Sequence, residues 1–218
     1  MSAFDDLLAG YRRFRKAGWA DQRSRWAELS QGQAPKVMVI ACSDSRVDPA
    51  QIFDVSPGEI FVVRNVANLV PPFEPDSARH GVSAALEFAV TQLEVTDVVV
   101  MGHGACGGCK AALTQGFAHA PQGEGGFVSD WVSLLDDARE KVIAKHGDAA
   151  DANAMREMEL ESVRTSIANL RTFPFVTKRE DAGKLTLRGA YFAIADGVLH
   201  LMDDSGEFQP ATPALATA

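Results

Sequence analysis

The chain has 218 residues, 46% of them hydrophobic, enough to bury one core, so residues 1–218 are expected to form a single domain. A formal net charge of -8 and an isoelectric point near 5.1 argue against a nucleic-acid partner, whose phosphates favour a basic face. No stretch approaches the ~20 apolar residues that cross a bilayer, Asp5 and Asp6 stand where a secretory signal carries lysines, and three cysteines fit reduced thiols, so a cytoplasmic protein without a membrane partner is expected.

Residues 1–30 read as a helical arm, with Phe4, Leu8 and Tyr11 on one face and Trp19 and Trp26 beyond a break at Gly18. Such a stripe must be buried, either on the domain's own core or on a second subunit. Arg12, Arg13, Arg15 and Lys16 read as the solvated side of that helix. Lys36–Ala41 is a continuous apolar run, the mark of a strand buried on both faces, and it ends in Cys42-Ser-Asp44-Ser-Arg46. Ile60–Arg64 and Asp97–Met101 read the same way.

Between those two strands, Val82, Ala85, Leu86, Ala89, Val90 and Leu93 lie at helical spacing, one face of a crossover helix over 81–93. Strand, helix and strand joined at this length predict parallel pairing. The fold class is therefore α/β, with a mainly parallel central sheet and flanking helices. Pro121–Gly126 is a loop, and two helical stretches follow, around Trp131, Leu134, Leu135, Ala138 and Val142, then around Met155, Met158, Val163, Ile167 and Leu170. Leu185–Ile194, Asp196-Gly197 and Val198–Met202 predict an antiparallel hairpin with a tight primed turn at the sheet edge. Residues 209–218, rich in Ala, Pro and Thr, read as a flexible tail.

Parallel α/β sheets keep their ligands outside the carboxyl ends of the strands. Cys42, His103 and Cys106 all fall there, and two thiols with an imidazole suit zinc, which is catalytic when three protein ligands leave a fourth position for water. Other readings stand beside this one. Gly102-x-Gly104-x-x-Gly107 matches a dinucleotide fingerprint, but Glu124 has no strand before it to place an acidic residue on a ribose. Cys106-Gly-Gly-Cys109 is a candidate redox dithiol that leaves Cys42 unexplained, and three merely buried cysteines is the blandest reading.

Cys42-Ser-Asp44-Ser-Arg46-Val, Arg64-Asn-Val-Ala-Asn68-Leu-Val-Pro-Pro and Gly102-His103-x-x-Cys106-Gly107-Gly108, in that order, resemble the β-class carbonic anhydrases. The similarity spans about Gln33 to Leu113 and thins to the hairpin near Arg188-Gly-Ala-Tyr191. It implies reversible hydration of carbon dioxide to bicarbonate at one zinc per chain, held by Cys42, His103 and Cys106. Asp44 and Arg46 would be the catalytic dyad that orients a hydroxide on the zinc, with Asp44 a fourth ligand if the Arg46 clamp opens. Gln33, Phe61 and Val66 match pocket residues of the plant-like, open subtype, and Val39 replaces the tryptophan of the other subtype's effector site. Phe88 departs from that pattern by standing where a pocket tyrosine is expected, and the backbone amide of Gly107 would receive a bicarbonate oxygen. Cys109 lies outside the ligand set and reads as a small apolar residue, while His80, His119, His146 and His200 match no motif. The resemblance further implies a homodimer or tetramer whose N-terminal helices embrace the partner. Two alternatives share the site, a hydrolase of carbon disulfide or carbonyl sulfide and a non-catalytic zinc or bicarbonate-binding module.

Overall fold

A computed structural model describes residues 2–76, 79–148 and 150–211. It divides the chain into two compact units, Met1–Ala34 and Pro35–Ala218. In the first, α1 (Ala3–Lys16), α2 (Gly18–Asp21) and α3 (Arg23–Leu29) follow one another. Ser2 caps α1 in a reciprocal box with Asp5, and Asp5 and Asp6 at its start and Arg13, Arg15 and Lys16 at its end complement the helix dipole. The break predicted at Gly18 falls at Ala17 (φ -117°, ψ -79°). Phe14 packs edge-on against Trp26, with ring centroids 5.9 Å apart. Yet no residue of the three helices is buried, and Phe4, Leu7 and Tyr11 are 65%, 70% and 57% exposed.

The second unit is built on a six-stranded sheet. Its elements in chain order are β1 (Val37–Cys42), α4 (Pro49–Ile52), β2 (Ile60–Asn65), a 3-10 turn at Val66–Asn68, α5 (Gly81–Glu87), β3 (Asp97–His103) and α6 (Gly107–Thr114). Then come α7 (Gly126–Val132), α8 (Asp136–His146), α9 (Ala152–Leu170), α10 (Pro174–Asp181), β4 (Thr186–Ala193), β5 (Val198–Met202) and β6 (Phe208–Pro210). The strand order is β2-β1-β3-β4-β5-β6, with the first four parallel and the last two antiparallel. The expected α/β class, mainly parallel sheet and antiparallel edge are all present.

Four details differ from the sequence reading. β2 and β3 do not pair with each other but flank β1, so the crossover passes over the central strand. The crossover helix is α5 continued by a π turn at Phe88–Gln92, where the Leu93 amide donates to Phe88 O at 3.1 Å, five residues back. The hairpin turn holds four residues rather than a two-residue primed pair. There the Asp196 and Gly197 amides both donate to Ala193 O, and Gly197 is left-handed (φ 66°). Last, Gln209 and Pro210, read as tail, pair with β5 as part of β6, which takes the edge. Of the expected tail, residues 212–218 lie outside the described residues.

Strand alternation sends β1 side chains to both faces, Met38 and Ile40 to one core and Val39 and Ala41 to the other. The first core is closed by Leu86, Ala89 and Val90 of the crossover and by Val163, Ile167 and Leu170 of α9. Ala154 and Met158, nearer the start of α9, enter a separate cluster with Cys42, Cys106, Cys109 and Leu113. A single 19-residue helix, capped by Asp151 through bonds to the Asn153 and Ala154 amides, thus buttresses both the sheet and the strand ends where the cysteines lie.

Candidate active site

β1 and β3 are hydrogen-bonded neighbours running the same way, so their last residues, Cys42 and His103, emerge together. The chain turns through Gly104 and Ala105 and delivers Cys106 as the residue preceding α6. Each step of that turn has a reason. A Cβ on Gly104 would lie 3.0 Å from the Tyr191 hydroxyl, close enough that the phenol would have to give way, and Ala105 takes a left-handed backbone (φ 56°) that L-residues adopt at a cost of about 1 kcal/mol. α6 then sits against the Val66–Asn68 turn so closely that a Cβ on Gly108 would meet Val66 Cγ1 at 2.6 Å.

Cys42, His103 and Cys106 are 5%, 1% and 1% exposed, and their candidate ligand atoms lie within 4.8 Å of one another. The two sulfurs are 4.0 Å apart. Sulfurs bound at about 2.3 Å and tetrahedral angles to one ion lie about 3.8 Å apart. His103 Nδ1 is 2.9 Å from Gly104 O, and a carbonyl only accepts, so Nδ1 carries the hydrogen and Nε2 presents a lone pair. That Nε2 is buried without a hydrogen-bond partner. The Cys42 thiol is pushed up to about 12, first by its bond with Cys106 and then by burial. The Cys106 thiol is also pushed up to about 12, first by its bond with Cys109. Buried, adjacent thiols resist becoming neighbouring anions, and a dication between them removes that cost. The orphaned imidazole nitrogen, the sulfur spacing and the soft donor set fit zinc.

Beside the triad, Arg46 grips Asp44 with two prongs, Nε to Oδ1 at 2.9 Å and Nη2 to Oδ2 at 2.7 Å, and its amide adds a bond to Oδ1 at 3.0 Å. Arg46 thereby holds the Asp44 carboxyl well below the usual carboxylate range, against a smaller opposing effect of burial. The same Nη2 donates to Ala105 O at 3.0 Å. Arg64 stitches the loop after β1, donating to the carbonyls of Cys42, Asp44 and Val47 and to Asp48 Oδ2. Asp48 in turn caps α4.

Phe61 and Phe88 face each other at 5.9 Å between centroids, Val66 is exposed over Gly108, and Gly107 has open space where a side chain would be. Gln33 belongs to the first unit, Met1–Ala34, and these residues to the second. Val39 and Cys109 are buried, the latter among Ala112 and Leu113. His80 is at the surface beside Asp76, at 2.7 Å, with Glu74 close by. Glu159 carried no signal in the sequence, and Tyr191 stood there only as part of the hairpin. Glu159 of α9 accepts the Cys106 amide at 3.1 Å on Oε1 and the Tyr191 hydroxyl at 2.7 Å on Oε2. Burial and then Glu159 raise the Tyr191 phenol further, so it stays the donor.

Comparison with known proteins points one way. The family model for carbonic anhydrase matches residues 37–199. Beta carbonic anhydrase 3 of Arabidopsis thaliana is 32% identical over 212 residues, covering 97% of this chain and 81% of that protein. The solved β-carbonic anhydrase CcaA superposes with a TM-score of 0.88 at 31% identity, covering 96% of this chain and all of the other (100%). A Coccomyxa β-carbonic anhydrase solved with acetazolamide gives 0.78 at 28% identity, covering 95% and 93%.

Proposed function

Because the chain belongs to the β-class carbonic anhydrases, we propose that it reversibly hydrates carbon dioxide to bicarbonate and a proton with one zinc ion held by Cys42, His103 and Cys106. The observation that carries this reading is the buried triad with the unpartnered His103 Nε2 turned to two thiols. Zinc, when bound, supplies the Lewis acidity that makes water nucleophilic near neutral pH.

The remaining work falls to side chains. Asp44, kept ionised by Arg46, accepts a hydrogen bond from the attacking water and so turns a lone pair toward the carbon of carbon dioxide. Arg46 engages both carboxylate oxygens and keeps Asp44 from swinging to the thiols as a fourth ligand. Phe61, Val66 and Phe88 offer apolar surface to a molecule without a dipole, and the Gly107 amide at the start of α6 receives an oxygen of bicarbonate. For Gln33 a pocket role rests on the resemblance alone. The exposed apolar stripe of α1 supports a homodimer or tetramer, and free thiols fit the reducing cytoplasm.

Stopped-flow hydration by protein of known zinc content, near pH 7 and above pH 8, tests the proposal. Turnover at both values is expected, falling about 100-fold or more in Asp44→Asn while zinc is retained. One zinc per chain without turnover would shift the reading to carbonyl sulfide or carbon disulfide hydrolysis, or to a non-catalytic module.

A further inference from the structure

Glu159 is the one carboxylate buried among the described residues, at 3% exposure, and its two oxygens go to an amide N–H and a phenol O–H rather than to a cation. Burying a carboxyl group away from any cation is costly, and an apolar residue of similar size would avoid the cost. Its partners show what that carboxylate achieves. The Cys106 amide and the Ala105 carbonyl belong to one peptide unit. Glu159 takes the N–H of that unit at 3.1 Å, and Arg46 donates to its oxygen at 3.0 Å. A carboxyl group and a guanidinium thus hold one peptide plane from its two ends.

That plane needs holding. Ala105 is left-handed (φ 56°), and rotating the 105–106 peptide is the move that would relax it. The same rotation would carry Cys106 Sγ away from Cys42 Sγ, now 4.0 Å distant, and would deprive Arg46 of an acceptor beside its Asp44 clamp. Tyr191 fixes the second oxygen of Glu159, and α9 is anchored in turn by the Ser162 hydroxyl, which donates to Glu159 O at 2.7 Å and accepts from Asn68 Nδ2 at 3.2 Å.

We infer that Glu159 is a positioning residue that acts through the 105–106 peptide, setting the direction of Cys106 and steadying the Asp44–Arg46 pair. The inference rests on the zinc reading above, so its test includes a readout that does not. Wild type, Glu159→Leu, Glu159→Gln and Tyr191→Phe are compared by zinc content, by the rate at which a chromogenic chelator strips the zinc, and by hydrogen exchange of the Cys106 amide in metal-free protein.

Glu159→Leu is expected to lose zinc about 10- to 100-fold faster than wild type. Glu159→Gln keeps an oxygen for the Cys106 amide and is expected to stay within about threefold. The Cys106 amide is expected to exchange about tenfold faster in the leucine variant. Wild-type zinc release in Glu159→Leu, or glutamine as leaky as leucine, would overturn the inference. If the leucine variant does not fold, Tyr191→Phe decides, with a loosened carboxylate expected to speed both zinc loss and amide exchange, and no change counting against the idea. A wild type that takes up no zinc would sink the proposed function, while exchange at the Cys106 amide still judges the role of Glu159.

Discussion

The carboxylate of Asp44 owes its low pKa first to Arg46, and that fixes the sign of a pH effect. A group whose folded pKa is depressed stabilises fully above its unfolded pKa, about 4, and loses that contribution as pH falls through the lowered value. Asp44→Asn is therefore expected to be less stable than wild type in urea at pH 7, with the gap narrowing below about pH 4. A gap that widens on acidification would contradict the pairing. Arg46→Ala removes the clamp and is expected to cut hydration about 100-fold, and a fully active variant would refute its role. Cys109 is buried in the core of α6, so Cys109→Ser should cost about 1–3 kcal/mol of stability and leave activity in place. Loss of turnover in that variant with zinc retained would revive the dithiol reading. At this scale the triad and the dyad were legible because their residues fall in two short motifs, Cys42–Arg46 and His103–Cys106, each at a strand end. Glu159 was not, because its partners Cys106 and Tyr191 lie 53 and 32 positions away and a lone Glu in a helix looks like any solvated one.

Among the elements, the short continuous apolar runs announced β1 to β3, and the spacing of Val82 to Leu93 announced the crossover. What escaped was set by contacts or by short length. The π turn at Phe88–Gln92 keeps helical spacing on its buried side, the four-residue turn after β4 hides behind an Asp-Gly pair, and β6 is three residues ending in proline. The packing of α6 gives a paired test. Gly107→Ala meets open space and should leave the melting temperature within a few degrees. Gly108→Ala drives a Cβ to 2.6 Å from Val66 and 2.9 Å from Ala67 Cβ, so α6 must shift, at about 1–3 kcal/mol. Calorimetry that finds the two variants equal would mean the helix is looser than these distances require.

At the scale of the whole chain, the apolar stripe of α1 stays exposed on a helix that buries none of its residues, whereas the sequence reading has it buried on the core or on a second subunit. Sedimentation is expected to find the full chain at twice its 23.4 kDa or more, and Leu7→Glu with Tyr11→Glu to shift it toward monomer. A monomeric wild type would remove the need for a partner. Cys42 and Cys106 stand 64 positions apart, yet they meet because β1 and β3 are paired. Folding order follows from this. Helices such as α8 and α9 form from neighbouring residues within microseconds, whereas the β1–β3 pairing must first close a long loop. In a refolding experiment with zinc and a metal-sensitive dye, the helical signal should rise first and metal capture should trail it, at a rate independent of zinc concentration.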